Sequence, residues 1–152
     1  MKLAEALSLR ADLQTRIAAM KTRLKESAKV QEGDTPPESL ADLRREFDAM
    51  LSQLEKLIYR INLTNLHATD GGESLTAMIA RKDVLRMRVG VMREVISFVS
   101  ESDSRYSRAE IKTVRVMDVP EARRELDRYS KELRELDMRL QGLNWTIDLI
   151  EE

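Results

Sequence analysis

Four stretches of apolar residues at three-then-four spacing, glycine- and proline-bearing breaks between them, and a strand-poor composition predict an all-α protein. Hydrophobic residues make up 42% of the 152, charged residues 35% and aromatics only 4%, a balance that favours helices over sheets. The length suits one helical domain over residues 1–152. Helices of 27 to 30 residues would be roughly 40–45 Å long at ~1.5 Å per residue. Short connections would set neighbours antiparallel, giving an elongated four-helix bundle with coiled-coil-like helices.

The first helix is expected over 3–29. Leu3, Ala6, Leu13, Ile17, Met20 and Leu24 keep step provided that Arg10 takes a seam position. Gly33, Pro36 and Pro37 then forbid continuation. The second, over about 38–66, carries Leu40, Leu43, Phe47, Met50, Leu54, Leu57 and Ile61. Asp70-Gly71-Gly72 supplies a flexible turn, and Ser74 is a good N-cap for a third helix lasting to about Ser100. Its stripe is Leu75, Met78, Leu85, Val89, Met92, Ile96 and Val99, with Lys82 in a seam position. The fourth opens at Asp118-Val119-Pro120-Glu121, a capping-box pattern, and its stripe runs from Val119 to Ile150.

The stripes differ in width. Leu51 and Ile58 flank the second, and Val84, Val91, Val95 and Phe98 flank the third, so each of these helices asks for two covering neighbours. The fourth is a narrow seam. Between helices three and four, residues 111–117 are β-branched and lack the helical repeat, which predicts a strand. Its partner would be either 104–108, making a hairpin excursion over about 104–117, or the same strand of a second copy. Gly90 suggests a close helix approach, and Trp145 an anchor for the last segment.

Few polar residues stand out. Asn62, Thr64, Asn65 and His67 crowd the end of helix two, where asparagine is a poor interior residue. They could form a small-ligand site, but a satisfied hydrogen-bond layer that ends the helix is favoured. Of the two seam charges, Lys82 is expected to extend its head to solvent and Arg10 to reach a carboxylate across the helix pair. Arg81, Arg88, Arg105, Arg108, Lys112 and Arg115 make a local basic set able to hold an anionic ligand or RNA. Pairing with the acidic residues of helix four is the favoured alternative, because 26 basic against 27 acidic residues and a pI near 6.0 argue against a nucleic-acid domain.

The chain has no cysteine and one histidine, which excludes disulfides, thiolate nucleophiles and a histidine-rich metal centre. Neither a cofactor nor a catalytic set is indicated. Glu132 and Glu135 share a face with Arg128 but lack a matching carboxylate pair on another helix. No export signal and no apolar run of membrane-spanning length is visible, so a cytoplasmic location without membrane contact is expected.

Six strings together resemble a known family: Leu3-Ala-Glu-Ala-Leu7 with Arg10, Val30-Gln-Glu-Gly33, Ile61-Asn-Leu-Thr-Asn65, Ala80-Arg-Lys-Asp83, Arg105-Tyr-Ser-Arg-Ala-Glu-Ile-Lys112 and Asn144-Trp-Thr-Ile-Asp-Leu149. They resemble small uncharacterised bacterial proteins often labelled septicolysin. The resemblance implies a mostly helical, oligomeric protein without established catalytic residues. Three functions follow in order of support. The first is a structural or interaction protein that forms a homo-oligomer through its long amphipathic helices, using the excursion and the seam of helix four. The second is a binding module for an anionic ligand or RNA through basic residues of 81–93 and 105–115. The third, a membrane-acting cytolysin, rests on the label and is disfavoured by the missing membrane-length segment.

Overall fold

The computed structural model describes residues 1–101 and 113–151. Among them are four long helices, α1 (Leu3–Ala28), α2 (Leu40–His67), α3 (Leu75–Ser100) and α4 (Val119–Thr146), and a two-stranded hairpin, β1 (Thr69–Asp70) and β2 (Glu73–Ser74). The fold is all-α as the spacing predicts. The chain falls into two compact units, one of Met1–Leu75 with Gln141–Glu152 and the other of Thr76–Leu140.

In the first unit, α1 starts where the Lys2 amide donates to the Glu5 carboxylate at 2.7 Å, one half of a capping box. Its buried residues, Leu3, Ala6, Leu13, Met20 and Ser27, hold the heptad. Helix α2 answers with Leu43, Met50, Leu57 and Thr64, each seven residues from the last, and with Ile61. Ser39 caps α2 by accepting from the Asp42 amide at 3.4 Å. The connection between the two helices turns at Gly33, whose φ of 90° lies in the left-handed region. Arg23 near the end of α1 pairs with Glu38 at 2.5 Å and with Glu46 at 3.4 Å. The end of α1 therefore lies beside the start of α2, and the pair is antiparallel.

The hairpin sits between α2 and α3. Thr69 opposes Ser74 and Asp70 opposes Glu73, and Gly71 and Gly72 take φ of 60° and 83°, the left-handed pair required by the tightest hairpin turn. Sequence spacing places the β excursion later, over 104–117. Of that stretch, 104–112 lie outside the described residues, and 113–117 are not strand. Val114 and Val116 are exposed there, and their β-branched side chains pack on no strand among the described residues.

Helix α4 ends at Thr146, short of the predicted continuation to Ile150. The next residues extend beside Met1–Leu3: the Leu3 amide donates to the Ile147 carbonyl at 2.9 Å and the Leu149 amide to the Met1 carbonyl at 2.8 Å. Lys2 reinforces this by donating to the Thr146 carbonyl at 3.0 Å and pairing with Asp148 at 2.8 Å. Leu149 is buried, whereas Trp145 is 67% exposed. Leu149 thus anchors the segment, contrary to the expectation for Trp145.

In the second unit, Lys82 meets Asp137, and Arg88, six residues on, meets Tyr129, eight residues back. Helices α3 and α4 therefore run antiparallel. Met78, Leu85, Val89 and Ile96 of α3 are buried, as are Leu136 and Leu140 of α4. Asp118 accepts from the Glu121 amide at 3.1 Å, as the capping-box pattern predicts. The Glu121 carboxylate, however, pairs forward with Arg124 at 2.6 Å. A side chain added at Gly90 would meet nothing within 4 Å, so the close approach expected there is not made within the described chain.

Two stability predictions follow from the first unit. Ser27 is buried and its hydroxyl has no hydrogen-bond partner among the described residues. Removing a buried orphan hydroxyl and adding a better helix former should raise stability by about 1 kcal/mol for Ser27→Ala in denaturant unfolding. The second concerns pH. Hydrogen bonding from Lys2 and then its charge hold the Asp148 carboxyl below its usual value, and Arg23 does the same for Glu38. A depressed folded pKa contributes stability above the unfolded carboxyl pKa of about 4 and loses it as pH falls through the folded value. The Asp148 carboxyl should accordingly titrate below free aspartate by NMR, and Lys2→Ala should move that titration upward.

Candidate functional site

The amide-rich end of α2 does not gather its side chains at one point. Thr64 is fully buried, Asn65 half-buried, and Asn62 and His67 exposed. Two residues apart on a helix means about 200° of rotation, so Asn62 and Thr64 face opposite ways. The Thr64 hydroxyl donates to the Arg60 carbonyl at 2.8 Å and accepts from the Ile150 amide at 2.9 Å. Both capacities serve the fold, and Thr64 works as the polar latch that holds the extended 147–150 segment against α2.

Neither seam charge follows its expectation. Lys82, whose side chain is only 21% exposed, donates to Asp137 at 2.9 Å instead of extending to solvent. The antiparallel register brings Asp137 level with it, and a nearby carboxylate makes up for lost hydration. Arg10 is half-buried and makes no ion pair with any described residue. Counting back from the Arg23–Glu46 pair, the level of α2 beside Arg10 falls at Leu57–Arg60, which contains no carboxylate.

Of the basic set, Arg88 and Arg115 are committed to contacts within their own unit. Arg88 donates to the Tyr129 hydroxyl at 2.7 Å, and its guanidinium lies 4.6 Å from the Tyr129 ring centre, with Arg128 at 5.0 Å. Arg81 and Arg88 border an open groove of about 440 Å³, with Tyr129 and Glu132 on its other wall. Arg115 donates to the Ser100 carbonyl at 3.3 Å, a favourable place for a cation because helix C-termini carry partial negative charge. Arg105, Arg108 and Lys112 lie outside the described residues. No cluster of three or more His, Asp or Glu placed to hold a metal is found among the described residues.

The most conspicuous feature is apolar. Val84, Met87, Val91, Val95 and Phe98 form a second stripe on α3, and all five are exposed, with Met87 at 70% and Phe98 at 78%. Four of these residues are the flank that marks helix three as needing a second neighbour. Met87 was missed, and its signal was available: it stands three residues after Val84 and four before Val91. Leu51 and Ile58 of α2 also remain exposed, but Glu55 interrupts them. The seam of α4 was expected to be a surface for a second copy, yet Leu136 and Leu140 on it are buried. The uncovered face belongs to α3 instead.

The chain belongs to a family of unknown function (DUF6847), whose model matches residues 10–149. A crystal structure titled as a functionally unknown conserved protein from Corynebacterium diphtheriae is similar to it, at 35% identity and a TM-score of 0.90 over 99% of each chain. No curated protein matches. These likenesses support a small uncharacterised family and carry no septicolysin label. Among the described residues no helix is long and apolar enough to cross a membrane.

The Thr64 latch can be tested by Thr64→Val, which keeps the shape and removes both bonds. Leaving the Ile150 amide unpaired should cost about 1–3 kcal/mol in denaturant unfolding. Amide exchange at Leu149 and Ile150 should accelerate well before that of the α2 core.

Proposed function

We propose that this chain, a member of a family without assigned function, is an interaction protein that self-associates through the outer stripe of α3. The observation that carries the reading is the exposure of Val84, Met87, Val91, Val95 and Phe98 on one helix face. Scattered apolar residues on a surface are ordinary, whereas a contiguous helical stripe marks a site that another surface covers. A homo-oligomer is also what the width of the third stripe calls for, since the described residues leave its outer face exposed.

Anion or RNA binding through α3 has weaker support. Arg88 is already held by Tyr129, and Glu132 places a negative charge in the same groove. No chemistry is assigned to the chain.

Light scattering on the purified protein at tens of micromolar should give a homo-oligomer mass that is insensitive to salt, as expected for an apolar contact. Phe98→Glu and Met87→Lys should each weaken association at least about 100-fold, roughly 3 kcal/mol, while helical circular dichroism stays unchanged. A strictly monomeric wild type would sink the reading, and an absorbance excess at 260 nm from bound nucleic acid would favour the anion-binding alternative.

A further inference from the structure

The charged residues of α3 divide around its exposed stripe. At about 100° of rotation per residue, a midline through Val91 has Val84, Met87, Val95 and Phe98 within about 40° of it. Arg81 and Arg88 then fall about 60–80° to one side, and Asp83 and Glu94 by the same angles to the other. All four are exposed. The other charged side chains of the helix, Lys82, Arg86 and Arg93, lie about 140° or more from the midline. The stripe therefore has one basic border and one acidic border.

We infer that two copies of the chain pair face to face through this stripe with their α3 helices parallel, about a two-fold axis that runs along the helices. The inference rests on the self-association proposed above and names its orientation. A half-turn about such an axis brings the basic border of each helix to the side where the other carries its acidic border, so both edges of the contact match opposite charges. Arg81 then stands two residues from the partner's Asp83, and Arg88 six from the partner's Glu94, about 3 and 9 Å along the axis. An antiparallel copy would set basic border against basic border and acidic against acidic, which interfaces avoid. Exposed pairs of this kind add little strength. They choose the orientation, as flanking charges do in coiled coils, while the apolar side chains hold the contact. Arg88 and Asp83 keep capacity for a partner: Tyr129 takes one of the five donors of Arg88, and Asp83 meets Arg86 only at 4.0 Å.

The chain has no cysteine, so single introduced thiols report on the orientation without interference. A two-fold along the helices sets every residue of the stripe opposite its own copy, whereas an antiparallel pair does so at one level only. Two residues bridge only when their Cα atoms are about 4.4–6.8 Å apart. Under mild oxidation Val84→Cys, Val91→Cys and Phe98→Cys should therefore each convert to a disulfide-linked dimer, at least about ten times as far as Arg93→Cys on the far side of the helix. Helical circular dichroism before oxidation checks that each variant is folded. If the wild type scatters as a dimer but one or none of the three links above the Arg93→Cys level, the parallel orientation is wrong and self-association stands. If the wild type is monomeric, both fall together.

Discussion

A helix with apolar residues on a 3.5-residue seam cannot stand alone in water, and nearly every feature of this protein answers that constraint. Each seam is about as long as its helix, so only a partner of similar length can exclude water along it. Helices α1 and α2, of 26 and 28 residues, meet the requirement within one unit. Arg23 ties the end of one to the start of the other through two carboxylates. Those ion pairs are exposed and contribute little energy, but they fix which residues lie side by side. The buried work is done by Leu13, Met20, Leu43, Met50 and Leu57.

Polar groups appear in the seams only where something satisfies them. Thr64 occupies the heptad position that Leu57 and Met50 occupy one and two heptads earlier, and its hydroxyl is saturated by a carbonyl of its own helix and an amide of the 147–150 segment. Lys82 occupies a seam position of α3 and is met by Asp137. Both residues break the apolar rule and gain specificity, since a shift of one residue would strand a buried polar group. Ser27 is the exception among these, and it lies one residue from the end of α1.

The helices were legible because heptad spacing and end signals agree. Ser39 and Asp118 cap as their types suggest, and the observed helix ends fall within about two residues of those expected, except for α4. What was not legible depended on partners distant in sequence. Whether residues 147–150 continue a helix or extend is decided by the free edge of Met1–Leu3, which no local spacing can reveal. The same holds for Lys82 and Arg10, whose fates turn on the presence or absence of a carboxylate at the matching level of the neighbouring helix. The hairpin at Thr69–Ser74 was seen only as a turn, because two-residue strands carry too little pattern. The second face of α3 was readable as surplus width, but width alone could not say that it stays uncovered.

The pairing of Lys2 with Thr146 spans 144 residues of sequence. Contacts of that span carry the largest loop-closure entropy available to the chain, so they form late, after the local helix pairs have shortened the path between them. Leu3 and Leu149 are both buried beside this junction, and until it closes each is left in water. The order of events in folding is thereby set: helices zip first, and the junction that joins the two distant stretches acts as the final clasp.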